Sequence, residues 1–326
     1  MIGYYVHHHG RGHAARARSI CARLEEPVTF FSSLPRPAST RARDTWVQLP
    51  LDVPADHEEP IDAQCHGRMH WAPVHVPGLA QRAADLLRVA VDAGLRRLVV
   101  DVSVEVATLA RVAGIPVTVM AMPGERTDAP HRLAYDLADQ IVAPWSAEVY
   151  RPAWLRDHLD RTHFVGSISQ FEDRPQQRGA VTSDRLGVLL GGAGGDDLPG
   201  DALEQLRGAL PQYRWMSLSA ASWVDDPWPV LCSADVVVTH AGQNAIADVA
   251  LTGAAVIVIP HRRPFDEQCA TADALATAGL TVAVDGWPSP DRWPGLLADT
   301  LALDRSQWSR LQVRGAAARA AAVIAA

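Results

Sequence analysis

The sequence predicts an α/β protein built from two doubly wound parallel-sheet units. Short apolar runs alternate with longer amphipathic stretches along most of the chain, the pattern of a strand, a crossover helix and the next parallel strand. The alternation weakens between about Tyr150 and Ser183 and then restarts. The 326 residues also exceed what one hydrophobic core ordinarily supports.

In the first half, Ile2–Val6 reads as a buried strand, followed by a Gly-rich turn and an Ala/Arg helix through Leu24. Val28–Phe31 is a second strand, and residues 35–80, rich in Pro, Asp and His, read as irregular. Leu79–Ala93 is a helix, Arg97–Val100 a strand ending at Asp101, and Val104–Ala113 a helix closed by Gly114. Pro116–Met120 and Gln140–Ala143 are strands around a helix at Thr127–Ala138. A linker is expected near residues 166–182, which divides the chain into a first unit, 1–168, and a second unit, 169–326.

The second half repeats the pattern. Leu186–Leu190, Arg214–Leu218, Val236–Thr239, Ala255–Ile259 and Thr281–Val284 read as strands. Leu198–Ala209, the segment after Thr239, and Glu267–Ala278 read as helices. The Ala/Arg-rich tail from about 306 to 326 is expected to be helical and is a candidate to pack back on the first unit.

Composition excludes several function classes. The net charge is -7 and the pI about 6.0, so the basic field of a duplex nucleic-acid binder is missing and no nucleic-acid partner is expected. All 30 basic residues are arginine, which removes Schiff-base lysines and the Walker-A phosphate loop. Cys21, Cys65, Cys232 and Cys269 are dispersed without a CxxC pair, which suggests neither a zinc knuckle nor a disulfide scaffold and fits a cytoplasmic protein. No apolar run reaches the ~18 residues that span a bilayer, although a peripheral contact with a membrane surface stays open.

The N-terminal feature that carries chemistry is Gly10-Arg11-Gly12-His13, directly after the first strand. Ligands of open α/β sheets bind beyond the carboxyl ends of strands. Gly10 and Gly12 permit a tight turn there and close approach of a ligand. A histidine in such a cleft can take a proton from a hydroxyl at neutral pH; the plainer alternative is a helix cap. Asp101 also ends a strand, where it can orient His13 or cap the following helix. A dinucleotide fingerprint does not fit, because Ala15 stands where the third glycine belongs and Ser32-Ser33 follow the second strand.

Three strand-end loops converge in the second half. After Val236–Thr239 come His240, Ala241, Gly242, Gln243 and Asn244, opening a helix that carries Asp248. The free amides of a helix start can meet an anion, and Asp248 one turn on can accept hydrogen bonds from a ribose diol. Asp266, Glu267 and Gln268 follow the next strand and can bond sugar hydroxyls. The loop Gly191-Gly192-Ala193-Gly194-Gly195 follows Leu186–Leu190 and can wrap phosphate or sugar.

GRGH, HAGQNAIAD and RPFDEQ, in this order and spacing, resemble the glycosyltransferase family 28 group of GT-B enzymes. That group includes the N-acetylglucosaminyltransferase of peptidoglycan synthesis, and it is distantly similar to the UDP-glycosyltransferases. The resemblance implies two Rossmann-like domains facing across a cleft, with the nucleotide-sugar held by the C-terminal one. It implies His13 as general base and His240, Gly242 and Asn244 at the diphosphate. It places Asp248 where the family usually has a glutamate on the ribose, and Asp266, Glu267 and Gln268 near the donor sugar. Trp223 is a candidate to lie by the base. The family is inverting and needs no metal or other cofactor, which agrees with the lack of an Asp-x-Asp pair in a suitable strand context. The partners implied are a UDP- or dTDP-sugar donor and an acceptor hydroxyl of unspecified class. A nucleotide-sugar hydrolase or 2-epimerase on the same fold, and a non-catalytic nucleotide-sugar-binding protein, are the alternatives.

Overall fold

The computed structural model describes residues 1–8, 12–54, 59–176, 185–191, 198–219, 222 and 224–326. Its N-terminal sheet contains β1 (Ile2–Val6), β2 (Val28–Ser32), β3 (Thr45–Gln48), β4 (Arg97–Asp101), β5 (Val117–Met120), β6 (Gln140–Ala143) and β7 (Thr162–Phe164). The strands are all parallel, in the order β3-β2-β1-β4-β5-β6-β7. Helices α1 (Gly12–Cys21), α2 (Pro77–Asp92), α3 (Val104–Val112) and α4 (Ala129–Leu137) cover it. Period-two alternation feeds both faces. Ile2, Tyr4 and Val6 join the layer that includes Ile20 and Phe30, whereas Tyr5 joins the layer of Phe31, Leu86 and Leu98.

The C-terminal sheet contains β8 (Arg185–Leu190), β9 (Tyr213–Leu218), β10 (Val236–Thr239), β11 (Ala255–Val258) and β12 (Val282–Ala283), also all parallel, in the order β12-β11-β10-β8-β9. Around it lie α5 (Ala202–Ala209), α6 (Trp228–Ser233), α7 (Gln243–Val249), α8 (Glu267–Thr277) and α9 (Trp293–Ala302). Each sheet therefore has a point where the strand order reverses. It lies between β1 and β4 in one sheet and between β8 and β10 in the other. Such a reversal opens a crevice at the carboxyl ends of the strands, which is where open α/β sheets take their ligands.

Several elements differ from the sequence expectation. Within the stretch read as irregular, Thr45–Gln48 pairs with β2 as an edge strand. Its residues are half-buried or exposed, so it lacks the apolar run that marks an interior strand. The weak stretch after Tyr150 holds a 3₁₀ segment, Ala153–Arg161, and the short β7. Helices α6 and α9 were not anticipated, and α5 begins at Ala202 rather than Leu198.

The tail is not one helix. Arg305–Leu311 is a 3₁₀ segment whose Trp308 and Leu311 pack in the C-terminal core. After a turn at Gly315 (φ 77°), α10 (Ala316–Ala325) lies against α1. Its face of Ala316, Ala317, Ala320, Ala321 and Ile324 belongs to the N-terminal core, and the four alanines let the two helices approach closely. The chain thus crosses between sheets twice, and the crossings touch, with Ser167 donating to the Leu311 carbonyl at 2.9 Å. Among the described residues no helix is long and apolar enough to cross a membrane.

Candidate functional site

Strand register sets the N-terminal wall. β1 and β4 are neighbours, and Val6 is paired with Asp101. His13 stands in the first turn of α1, and Asp101, fully buried, ends β4. His13 Nδ1 lies 2.9 Å from Asp101 Oδ1. An ionised carboxylate can only accept, so Nδ1 carries the proton and Nε2 is the basic atom of the neutral ring. The cap for which Asp101 was a candidate is made by Ser103, which accepts from the Val106 amide. Between them Val102 has φ 58°. A β-branched residue in the left-handed region is a strained turn, of a kind that clusters at functional sites.

Arg16, one turn along α1 from His13, completes this wall. Its Nη2 lies 2.5 Å from Asp101 Oδ1 and its Nε 3.2 Å from Oδ2, a two-point grip on a carboxylate. Burial works against the Asp101 charge, but the charges of Arg16 and His13 outweigh it and hold the carboxyl well below its ordinary range. Sequence reasoning passed over Arg16. The available signal was its spacing of three from His13, which puts both side chains on one helix face.

Arg16 also reaches the other domain, its Nη1 donating to Gln243 Oε1 at 2.9 Å. Beside it Asn244 Nδ2 donates to the Gly12 carbonyl at 3.1 Å. Gly12 and Arg16 therefore meet Asn244 and Gln243 across the domain boundary.

On the C-terminal wall, His240 follows β10 and is buried, with Nδ1 donating to the Ile259 carbonyl at 2.9 Å. Ala241 packs in the core, and Gly242 precedes α7 with open space where a Cβ would stand. α7 has only 7 residues, so its dipole is short. Asp248 is 8% exposed and faces the segment that joins the domains. Ser169 Oγ donates to Asp248 Oδ1 at 2.5 Å, and Gln170 bonds the same carboxyl. Burial pushes this carboxyl up to about 7 despite those two hydrogen bonds. Ser169 and Gln170 were invisible from sequence, because no motif marks a connecting segment that folds over a helix far along the chain.

The remaining candidates are distributed around these two walls. Gly191 directly follows β8, its amide bound to the Leu218 carbonyl at 2.8 Å. Asp266 is exposed, Glu267 lies 3.4 Å from Arg126 of the other domain, and Gln268 Oε1 accepts from the His261 amide at 3.0 Å. Gly10, Gly192, Gly194 and Trp223 lie outside the described residues.

His70, Asp128 and His131 bring ligand-type atoms within 4.8 Å of one another. Their hydrogen bonding opposes a metal. Arg126 Nη1 lies 3.1 Å from His131 Nε2, and arginine can only donate, so the proton of His131 sits on Nδ1 and is given to Asp128 Oδ1 at 2.7 Å. A metal on Nδ1 would turn an N–H against a guanidinium, the reverse of the acceptor that supports a ligating histidine. Burial, then Arg126 and His70, push His131 down to about 4.

Residues 202–288, which contain His240 to Gln268, match the glycosyltransferase family 28 C-terminal domain. The UDP-N-acetylglucosamine--N-acetylmuramyl-(pentapeptide) pyrophosphoryl-undecaprenol N-acetylglucosamine transferase of Syntrophotalea carbinolica is 31% identical over 105 residues, 31% of this chain and 29% of that protein. The aligned stretch is thus less than a third of that relative. Among solved structures, the glycotransferase of kitacinnamycin superposes with a TM-score of 0.66 at 16% identity, covering 99% of this chain and 96% of that one. Acinetobacter baumannii MurG superposes with a TM-score of 0.63 at 14% identity, covering 99% of both chains. The chain has the GT-B fold over its whole length, and its C-terminal domain resembles that of glycosyltransferase family 28.

Proposed function

We propose that the protein is an inverting glycosyltransferase that moves a sugar from a nucleoside-diphosphate sugar to an acceptor hydroxyl. The observation that carries the reading is the His13–Asp101 pair at the switch point of one sheet, facing the family-28-like segment that opens α7. His13 Nε2 takes the proton of the acceptor hydroxyl. The freed oxygen attacks the anomeric carbon from the side opposite the diphosphate. As that C–O bond forms, the bond from carbon to the diphosphate oxygen breaks, and the nucleoside diphosphate leaves with the electron pair. Asp101 keeps the His13 proton on Nδ1 and stabilises the imidazolium that forms.

The donor belongs to the C-terminal wall, with the diphosphate near His240, Gly242 and Asn244, the ribose at Asp248 and the sugar near Asp266, Glu267 and Gln268. The relatives support a UDP-sugar, since their printed name includes UDP-N-acetylglucosamine. The leaving charge meets backbone amides and the Asn244 side chain, so no divalent cation is required at the diphosphate.

The test is His13→Ala with turnover, UDP affinity and melting temperature measured together. Loss of a general base lowers transfer ~10²–10⁴-fold, with UDP affinity unchanged. Near-normal turnover with a lowered melting temperature would make His13 a structural residue. Donor consumption that does not depend on any acceptor would make the protein a hydrolase.

A further inference from the structure

The turn that opens the Asp266-Glu267-Gln268 run places two successive residues in the left-handed region. Phe265 has φ 62° and ψ 21°, and Asp266 has φ 51° and ψ 30°. For a bulky side chain such as phenylalanine the left-handed region is an outlier that persists only where surrounding structure imposes it.

What imposes it comes from the other domain. The Glu125 amide donates to the Phe265 carbonyl at 2.7 Å. Gly124, at φ 101°, lies so close that a Cβ there would stand 2.8 Å from the Glu267 Cα. The Arg126 guanidinium sits 4.6 Å from the centre of the Phe265 ring, and His131 meets the ring edge-on at 4.6 Å, with His70 at 5.4 Å. Glu267 adds an ion pair to Arg126 at 3.4 Å.

This socket is built independently of Phe265. Arg126 donates twice to the Pro123 carbonyl, Trp154 Nε1 donates to the Gly124 carbonyl at 2.8 Å, and the Gly124 amide reaches the Tyr150 hydroxyl at 3.1 Å. The ring stays 38% exposed, so burial in a core does not account for its position.

We infer that Phe265 is a positioning residue: seated between Arg126, His70 and His131, it clasps the two domains together. In doing so it holds Asp266 and Glu267 in their closed-state arrangement. When the domains part, the ring leaves its socket, the turn relaxes and Asp266 and Glu267 lose their placement, while Gln268 keeps its bond to the His261 amide. The donor-sugar face of the cleft is then assembled only in the closed molecule, where the acceptor side is in place. The sugar role rests on the function proposed above; the clasp itself does not.

Hydrogen exchange of the ligand-free, full-length protein tests the clasp. Phe265→Ala should raise exchange ~10-fold in both 122–128 and 262–269 while the sheets keep their protection, and Phe265→Tyr should restore it. Loosening of 262–269 alone would overturn the clasp. Calorimetric titration with UDP and with UDP-N-acetylglucosamine tests the positioning role. Phe265→Ala should leave UDP affinity within about twofold and cut the affinity for the nucleotide-sugar ~10-fold. Equal losses for both ligands would overturn positioning. A wild-type protein that binds neither would overturn the glycosyltransferase reading and the sugar role with it, while the exchange result judges the clasp on its own.

Discussion

The two walls of the cleft are built from opposite electrostatic materials. On the N-terminal side, a fully buried carboxylate is kept ionised by a two-point arginine contact and holds an imidazole in one tautomer. On the C-terminal side, the acidic residue Asp248 has no cation among the causes of its shift; burial pushes it up to about 7, with hydroxyl and amide partners opposing. A wall with fixed charges and an oriented imidazole is suited to moving a proton. A wall of amides, small residues and a carboxyl whose ionisation burial opposes is suited to receiving a ligand that brings its own negative charge. Fold and chain direction are the same in both sheets, so the contrast comes from a few side chains beside each switch point.

Substitutions that remove one wall's material should affect one function and spare the other. The largest effect is expected for Asp101→Asn. It leaves Arg16 buried without its counter-charge, which costs about 3–5 kcal/mol of stability. It also releases the His13 tautomer, lowering turnover by ~10²–10⁴-fold while UDP affinity holds. Denaturant melts and single-turnover rates on the same preparation measure both. A stable variant with normal turnover would remove Asp101 from the mechanism.

Asp248→Ala should weaken donor binding by about 1–3 kcal/mol with little change in kcat, because contacts to the ribose are common to ground and transition states. The same residue should shape stability in the opposite sense. The folded protein keeps the Asp248 proton up to about pH 7, whereas an unfolded chain releases it near the ordinary carboxyl value. Its contribution is therefore fully present at low pH and declines as pH rises from about 4 to about 7, by roughly 2–4 kcal/mol. Asp248→Asn should flatten that slope in melts taken across the window. An unchanged slope would show that Asp248 is ionised in the folded protein.

Asn244→Ala removes one cross-domain hydrogen bond, and about 0.5–1.5 kcal/mol of stability should go with it. Donor affinity should fall as well if Asn244 turns to the diphosphate when the donor binds. The smallest effect is expected for metal removal. On the proposed placement of the diphosphate against backbone amides, turnover in EDTA should stay within about twofold. Loss of activity restored by Mg²⁺ or Mn²⁺ would break the comparison, because the C-terminal wall would then depend on a bound cation.

Most interior strands were legible as apolar runs, and so were the loops that follow them. The places where reading failed have local causes. β3 has no apolar run to show because it is an edge strand. The six-residue α6 is too short to display a helical period. The tail looked like one helix from its alanine and arginine content, but Trp308 and Leu311 anchor its first part in the C-terminal core before Gly315 turns the chain. In the site, His13, Asp101 and the residues from His240 to Asp248 could be proposed from strand-end position. Arg16, Ser169, Phe265 and Arg126 could not, since each matters through a partner distant in sequence.

The sequence by itself determined which segments are strands and which residues stand at their carboxyl ends, because the spacing of apolar side chains is a local property. Only the tertiary structure decided which ends are neighbours. Pairing β1 with β4 brings together His13 and Asp101, 88 positions apart, and closing the domains sets Arg16 against Gln243, 227 positions apart. The protonation tendencies followed from the same step. Two aspartates that look alike in the sequence have their titrations moved in opposite directions, one because burial brought an arginine with it and the other because burial did not.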